Sequence, residues 1–361
     1  MTNICFLLGG FQGNGGIGRV TSVLANRLCV ESNYIVHTVS YVKDSRPMLY
    51  ELDSRIKNHT LFSTSMSMAK AILFKNAVGK LKKIIEDEKI DVIVACGALF
   101  YPIAILAAKA KKIRCICWEH INPATVSDYK FQGAARKYAV KKADDIVVLT
   151  KSAEAYYRDH FNLPANRLTQ IYNPVSTGSG RSAEYRDSSK KIISVGRLSY
   201  QKNFSLLIDV AADVLPKYPD WSWDIFGSGE EFEALSQKIK EKGLEGRVNL
   251  LGQVSDLYDR YGDYAFQVMT SRYEGFPMSL IEGMANRLPL ISFDIETGPD
   301  EIIKEGENGF LVPPEDRETI AERICRLIEA PELRKEFSEA SYSLRTKYDL
   351  ESIVLQWKEL L

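Results

Sequence analysis

The chain divides at residues 173–197, which read NPVSTGSGRSAEYRDSSKKIISVGR. The first part of this stretch is polar and rich in Ser and Gly, a composition typical of a linker. From Lys191 to Val195 a short β-branched run follows, which indicates a strand that opens a new folded region. The sequence therefore predicts two domains, residues 1–175 and 191–348, joined by a linker at 176–190.

Short apolar runs alternate with helical patterns on both sides of this linker. They lie at residues 4–8, 34–39, 91–95, 113–118 and 145–149, and then at 191–195, 223–226, 248–251, 265–269 and 289–293. Continuously apolar strands separated by helices indicate parallel sheets that are covered on both faces. We therefore expect an α/β protein of two doubly wound, Rossmann-like domains facing each other across a cleft, with ligands beyond the carboxyl ends of the strands.

Composition places the chain among ordinary globular proteins. Its 361 residues are 45% apolar and 26% charged, which excludes disorder and fibrous repeats. No apolar run reaches the roughly 18 residues that a membrane span requires, and the N-terminus lacks a signal-peptide pattern. We expect a cytoplasmic protein in which all six cysteines are buried thiols.

The net charge of zero hides two oppositely charged halves. Residues 1–178 carry 24 basic and 14 acidic side chains, and the remainder carries 23 basic and 33 acidic side chains. The basic half fits an anionic membrane surface, although a solvated helix face is the alternative interpretation. Nucleic acid is not expected, because no recognition motif appears. The cations in question are Lys70, Lys75, Lys80, Lys82, Lys83, Lys109, Lys111, Lys112, Arg114, Arg136, Lys137, Lys141 and Lys142.

A glycine-rich segment at residues 9–19 follows the first strand and opens a helix. Gly13, Gly15 and Gly18 match the dinucleotide pattern G-x-G-x-x-G, but no acidic residue follows the next strand as that fold requires. A helix start at Gly15 and Gly16 suits a phosphate or an approaching substrate, and a purely structural turn is the alternative.

Two cations follow the strand at 191–195. Gly196 allows a turn, Arg197 carries a fork of donors, and Lys202 stands five residues later. Two converging cations are what a diphosphate requires, whereas a solvated basic turn is the alternative.

Residues 274–285, EGFPMSLIEGMA, combine two carboxylates with a helix start. Pro277 suits the first helical position, and the N–H groups of residues 278–280 would be free to hold a phosphate. Glu282 lies inside the helix among apolar neighbours, where a carboxylate is seldom a solvated surface group. Together with Glu274 it could accept sugar or ribose hydroxyls, and a surface capping pair is the alternative.

In order and spacing, these motifs resemble the retaining glycosyltransferases of family 4, which have the GT-B fold. The resemblance covers essentially the whole chain, and the segment at 293–303 is similar to members that build bacterial surface polysaccharides and glycolipids. It rests on Gly15 to Arg19, Trp118-Glu-His120, Gly196-Arg197 with Lys202, Phe226-Gly-Ser-Gly229, and the E-x7-E motif from Glu274 to Glu282.

The resemblance implies transfer of a hexose or N-acetylhexosamine from a nucleotide sugar, for which UDP is expected, to a lipid-linked saccharide or other glycan acceptor in an α-linkage. Arg197 and Lys202 would hold the diphosphate, and Glu282 would accept the ribose hydroxyls. Glu274 with Gly275, Phe276 and Pro277 would bind the transferred sugar. Met278, Ser279 and Leu280 would cradle the distal phosphate, and Gly227, Gly229 and the loop from Gly252 to Val254 would bracket the base and ribose.

His120 follows the strand at 113–118, and the resemblance implies that it contacts the donor sugar and phosphate; a satisfied core histidine is the alternative. No side chain is assigned as the nucleophile, because in this family the departing phosphate is thought to take the acceptor's proton. The chain contains no Asp-x-Asp motif. No divalent metal or other cofactor is therefore expected, with Arg197 and Lys202 taking the charge role.

Three other functions compete with sugar transfer as interpretations of the sequence. The competing functions are a sugar-nucleotide epimerase, a non-catalytic sugar-nucleotide-binding protein and a nicotinamide dehydrogenase.

The resemblance also predicts that the last helix, residues 349–361, returns to the first domain. The basic first half predicts peripheral association with the inner face of the plasma membrane.

Overall fold

The computed structural model describes residues 1–11, 16–43, 50–63, 70–123, 130–175, 185–254 and 257–361. These residues form two compact units, one from Met1–Pro174 with Leu350–Leu361 and the other from Val175–Asp349. Each unit is built on a parallel sheet with alternating helices. The predicted α/β class with two Rossmann-like units is therefore confirmed.

The first unit alternates strands and helices along the chain. Neighbouring strands in the order β3-β2-β1-β4-β5-β6-β7 are all parallel. Every residue of β4 is buried, as a strand covered on both faces requires. The elements are β1 Thr2–Leu8, α1 Gly16–Leu28, β2 Tyr34–Val42, β3 Lys57–Phe62, α2 Lys70–Asp87, β4 Val92–Cys96, α3 Tyr101–Lys111, β5 Arg114–Trp118, α4 Lys130–Lys142, β6 Asp145–Val148, α5 Lys151–Phe161 and β7 Leu168–Gln170.

The second unit repeats this plan with the strand order β10-β9-β8-β11-β12-β13. Strand order reverses between β8 and β11, and the carboxyl ends of strands at such a switch point leave room for a ligand. The elements are β8 Lys191–Val195, α6 Phe204–Val214, β9 Ser222–Phe226, α7 Phe232–Glu241, β10 Val248–Gly252, α8 Leu257–Arg260, β11 Phe266–Met269, α9 Met278–Ala285, β12 Leu290–Phe293, α10 Pro299–Ile302, β13 Gly309–Val312, α11 Arg317–Glu329 and α12 Pro331–Leu344. The last helix, α13 Leu350–Leu360, belongs to the first unit.

Three strands were not predicted, and all three lie at sheet edges. β3 and β7 form the two edges of the first sheet, and β13 forms one edge of the second. The first four residues of β3 are exposed or half-buried, so its sequence lacks the apolar run that marks a central strand. β7 is only three residues long, too short for a periodic signal. β13 has four residues and begins with a glycine, so only three apolar residues mark it in the sequence.

The end of the predicted linker is bound to the second unit. The Tyr185 hydroxyl donates to the Ala265 carbonyl at 2.7 Å, and Arg186 lies 3.0 Å from Asp263. Residues 176–184 lie outside the described part of the chain.

Two further sequence expectations meet different outcomes. Five cysteines are buried thiols, but Cys325 on α11 packs against the edge of the second unit's core and is only partly buried, so the prediction of six buried thiols is wrong at that position. Among the described residues, no helix combines the length and apolar character that crossing a membrane would require.

Candidate active site

Two loops of the second unit meet at the switch point of its sheet. One follows β8 and leads into α6, and the other follows β11 and leads into α9. The Arg272 N–H donates to the Gln201 carbonyl at 2.8 Å, and the Gln201 amide donates to the Tyr273 carbonyl at 2.9 Å. The Thr270 hydroxyl reaches the Lys202 carbonyl at 3.2 Å. These bonds hold the two loops side by side.

An ion pair joins the same two loops through their side chains. Lys202 Nζ lies 2.5 Å from Glu274 Oε1, and the side chains are 16% and 8% exposed. A Cβ at Gly196 would meet the Lys202 methylenes at 3.0 to 3.1 Å. A glycine at the end of β8 therefore leaves the room in which the lysine chain lies.

Arg197 contributes a second cation on the loop after β8. It is exposed, and no hydrogen bond or ion pair joins its guanidinium to another residue in the described part of the second unit. The sequence predicted that Gly196, Arg197, Lys202 and Glu274 serve one site, and the structure places all four on these two loops.

The loop after β9 packs against the loop after β8 by direct backbone contact. Gly227 has a φ of 138°, and a Cβ there would lie 1.8 Å from the Gly196 carbonyl oxygen. A Cβ at Gly229 would lie 2.2 Å from the Leu198 carbonyl oxygen. The Gly227 N–H also donates to the Gly252 carbonyl at 2.8 Å, which brings in the loop after β10 with its half-buried Val254. Four glycines that the sequence predicted for the site, Gly196, Gly227, Gly229 and Gly252, are thus parts of one backbone assembly.

The segment that carries both Glu274 and Glu282 leads into α9 beside the ion pair. The helix begins at Met278, one residue later than predicted, and Pro277 is its N-cap. The Leu280 N–H already donates to the Pro277 carbonyl at 3.0 Å, so residues 278 and 279 supply the free N–H groups of this helix start. The Ser279 side-chain oxygen is buried without a hydrogen-bond partner among the described residues.

The residues before α9 are fixed by the segment after β12. The Thr297 hydroxyl donates to the Glu274 carbonyl at 2.7 Å. Gly298, with a φ of 100°, packs so closely that a Cβ would lie 2.5 Å from the Pro277 ring. Gly275 is half-buried and Phe276 is buried. Thr297 and Gly298 lie within the segment at 293–303 that carries part of the family resemblance, but neither residue was predicted to contribute to the site.

Glu282 lies inside α9 and is 1% exposed. Its Oε2 accepts a hydrogen bond from the Tyr261 hydroxyl at 3.0 Å. Tyr261 was not predicted, since it lies 21 positions away and its own surroundings carry no motif. A buried carboxylate is thereby held one helical turn below the helix start.

His120 lies in the first unit, directly beyond β5. Its ring centroid is 4.3 Å from that of Trp118, and its Nε2 is buried with no hydrogen-bond partner in the described residues. Burial lowers the pKa of His120 to about 3, so the ring is neutral at physiological pH. A neutral imidazole can donate one hydrogen bond and accept another.

A buried charged cluster fixes the turn that carries His120. Arg136 Nε donates to Glu119 Oε2 at 2.6 Å, and the Tyr157 hydroxyl donates to the same oxygen at 3.0 Å. Glu119 Oε1 accepts from the Ile121 N–H at 3.2 Å. The prediction that Arg136 is a surface cation is therefore wrong: it is 2% exposed because Glu119 pairs with it inside the unit.

The glycine-rich segment after β1 is only partly described. Gly13 and Gly15 lie outside the described residues, and Gly16 is the exposed first residue of α1. Gly18 is buried, and a Cβ there would lie 3.3 Å from the Gly10 carbonyl oxygen. Close packing therefore accounts for Gly18, and the predicted phosphate or substrate contact of Gly15 and Gly16 stays a prediction.

The arrangement in the second unit combines groups of complementary chemistry. Two cations and a helix start suit phosphate oxygens. Two carboxylates, one paired with lysine and one buried, suit hydroxyl groups as hydrogen-bond donors. A ligand that carries both phosphates and hydroxyls would satisfy all of them.

Comparison with known proteins gives two family matches. Residues 181–344 match the model described as Glycosyl transferases group 1, and residues 14–179 match the model described as Glycosyltransferase Family 4. The amylovoran biosynthesis glycosyltransferase AmsD of Erwinia amylovora is 30% identical over 370 residues, which cover 100% of both chains.

Solved structures match the fold over the full chain. A Staphylococcus aureus TarM mutant in complex with Fondaparinux, alpha-GlcNAc-glycerol and UDP has a TM-score of 0.84 at 18% identity, covering 100% of this chain and 99% of that one. Anabaena HepE in complex with UDP and glucose has a TM-score of 0.82 at 18% identity, with the same two coverages.

Proposed function

The chain belongs to the family 4 glycosyltransferases of the GT-B fold, and we propose that it is a retaining, metal-independent enzyme with a UDP-sugar donor. It would transfer a hexose or N-acetylhexosamine to a sugar hydroxyl of a lipid-linked saccharide or other glycan and form an α-linkage. The observation that carries this proposal is the Lys202–Glu274 pair beside the start of α9. The pair offers a phosphate-binding cation and a hydroxyl-binding carboxylate at one switch point.

The donor would bind along the loops of the second unit. Arg197 and Lys202 would contact the diphosphate, and the N–H groups of Met278 and Ser279 with the Ser279 hydroxyl would contact its distal phosphate. Lys202 has three donors, so it can keep Glu274 while it binds a phosphate oxygen. Glu274 would accept hydroxyls of the transferred sugar, Glu282 would accept those of the ribose, and the glycine loops would bracket the base.

Transfer would break the bond between the anomeric carbon and the distal phosphate oxygen while the acceptor oxygen bonds to the same carbon. The acceptor's proton would pass to the departing phosphate, so no side chain needs to act as the nucleophile. Negative charge grows on the diphosphate during this step, and the two cations would stabilise it. This charge role is the reason for proposing that no divalent metal is needed.

A binding and product experiment tests the donor proposal. Thermal unfolding would be measured with UDP-, GDP- and ADP-sugars and with NAD, each with and without EDTA. We expect stabilisation by a UDP-sugar that EDTA does not remove, weakened in Arg197→Met but not in Lys240→Met, an exposed cation of α7. NMR of the product should show an α-linkage. Stabilisation by NAD alone, loss on adding EDTA, or a β-linked product would contradict the corresponding part of the proposal.

We also propose that the first unit associates peripherally with the anionic inner face of the plasma membrane. α3 packs against both α2 and α4, and exposed side chains on these helices include Lys75, Lys83, Lys109 and Lys137. Ile72 and Phe131 are 50% and 56% exposed on the same helices. Cations with neighbouring apolar side chains suit an anionic lipid surface. Co-sedimentation should show binding to anionic vesicles and much weaker binding to neutral ones; equal, negligible binding to both would contradict it.

A further inference from the structure

Three side chains with metal-binding atoms meet in the first unit, away from the loops described above. His37 lies on β2, His59 lies on the neighbouring strand β3, and Glu88 directly follows α2. His37 pairs across the parallel strands with Lys57, two residues before His59, so the side chains of His37, Lys57 and His59 point to the same face of the sheet. The end of α2 covers this face near the amino ends of the strands.

The distances between these groups fit a shared ion. His37 Nδ1 and His59 Nε2 are 3.3 Å apart, and His37 Nδ1 is 3.9 Å from Glu88 Oε2. One ligand atom from each residue lies within 4.8 Å of the others. Two imidazole nitrogens bound to one Zn²⁺ at roughly 2.0 to 2.1 Å with tetrahedral angles are about 3.3 to 3.4 Å apart. A small rotation of the Glu88 side chain would complete the set.

We propose that His37, His59 and Glu88 bind one divalent transition-metal ion, with Zn²⁺ as the preferred ion and water as the fourth ligand. Two imidazoles and a carboxylate are ligands that Zn²⁺ accepts readily. The ion would tie β2, β3 and α2 together, and β3 is an edge strand with no neighbour on its other side among the residues that the structure describes. The site serves the first unit's structure and is independent of the proposed sugar transfer.

Lys57 is the competitor for this ion. Its Nζ lies 2.8 Å from Glu88 Oε2 and neutralises the carboxylate in the absence of metal. The Lys57 side chain is 54% exposed, so it can turn into solvent when a dication replaces it.

The alternative for the 3.3 Å contact is a hydrogen bond between two neutral rings, which needs no metal and does not involve Glu88. Metal titration separates the two. The untagged, metal-free full chain would be titrated with Co²⁺, followed by visible absorption, and with Zn²⁺, followed by calorimetry. We expect one equivalent of each ion to bind and Zn²⁺ to displace Co²⁺.

Variants decide where the ion binds. His59→Asn and Glu88→Gln change half-buried groups and should each weaken Zn²⁺ binding at least about tenfold, since loss even of outer-shell partners costs that much. His160→Asn, on α5 beside the opposite edge strand β7, is the matched control and should leave binding unchanged. Lys57→Met should bind Zn²⁺ at least as tightly as the unchanged chain. Absence of one-equivalent binding, or unchanged binding in both His59→Asn and Glu88→Gln while thermal unfolding shows them folded, would overturn the proposal.

Discussion

Glu282 is a carboxylate that folding removes from water almost completely. Burial of an ionised carboxylate costs free energy unless hydrogen bonds surround it, and the Tyr261 hydroxyl supplies one at 3.0 Å. Lys202 and Glu274 carry a similar cost, which their mutual pairing offsets. Apolar side chains at these positions would cost less, and this cost supports our proposal that the charged groups bind the donor.

Glu282→Gln tests this role at the residue scale. The amide keeps the size of the side chain but lacks the charge that strengthens hydrogen bonds from ribose hydroxyls. We expect the dissociation constant of the stabilising nucleotide sugar to rise about ten- to a hundredfold, as for loss of a hydrogen bond to a charged group worth roughly 1.5 to 3 kcal/mol. Calorimetry would measure it, with Glu336→Gln on the exposed face of α12 as the control. An unchanged constant would exclude contact with the donor.

His120 should make folding stability depend on pH. Its pKa falls from 6.5 to about 3 on folding because the ring is buried, so the unfolded chain binds the proton more readily. The stability that the neutral ring contributes is present above pH 6.5 and is lost as the pH falls towards 3. Between pH 7 and pH 5, the unchanged chain should lose roughly 2 kcal/mol more than His120→Gln in urea unfolding. Equal losses in the two proteins would show that the ring is accessible to protons.

At the scale of elements, the second unit holds its site by backbone contact between loops. The loops after β8, β9 and β10 meet at Gly196, Gly227 and Gly252 through hydrogen bonds and van der Waals contact. Side chains have little part in this assembly. Arg197 and Lys202 are therefore positioned by loops at the ends of strands, which are rigid. Only the tips of these two side chains are free to adjust to a ligand.

Gly227→Ala should disrupt this assembly. The new Cβ would lie 1.8 Å from the Gly196 carbonyl oxygen, and the φ of 138° disfavours any side chain. Gly243→Ala is the control, because its φ of 65° is also positive but its Cβ would meet nothing within 4 Å. We expect the control to lose about 1 kcal/mol and Gly227→Ala to lose several times more. Equal urea midpoints for Gly227→Ala and Gly243→Ala would mean that the loops after β8 and β9 can move apart at little cost in free energy.

The cluster under His120 gives a second prediction for elements. Arg136→Met leaves the Glu119 carboxylate buried without its cation, which should cost about 3 to 5 kcal/mol of unfolding free energy. Arg158→Met breaks an exposed pair with Glu154 and should cost at most about 1 kcal/mol. Urea denaturation of both variants provides the comparison. Similar losses would show that Arg136 is not a structural partner of the turn at residues 119–121.

At the scale of the whole molecule, the chain ends by returning to the unit in which it began. Trp357 on α13 is fully buried, and its ring lies 4.8 Å from that of Trp118 at the end of β5. Arg27 Nε on α1 lies 2.6 Å from Glu351. The last helix therefore completes the core beside the strand that positions His120.

Removal of this contact should destabilise the first unit. Trp357→Ala leaves a cavity beside Trp118 and should cost about 3 to 5 kcal/mol. Leu355→Ala, on the same helix but 60% exposed, should cost little unfolding free energy. Truncation before Asp349 should cost more than either substitution. Thermal and urea unfolding would rank the three proteins. A truncated chain with unchanged stability and activity would contradict the role of α13.

The sequence by itself determined the α/β class, the two-unit organisation, ten of the thirteen described strands and the family, because these depend on apolar periodicity and on motifs that are contiguous along the chain. Only the tertiary structure decided that β3, β7 and β13 are edge strands, that Arg136 is buried, and that Tyr261 contacts Glu282. It also brought His37, His59 and Glu88 together from three elements. Such pairings join residues far apart in sequence, and the packing of elements selects them through the three-dimensional arrangement of the whole core.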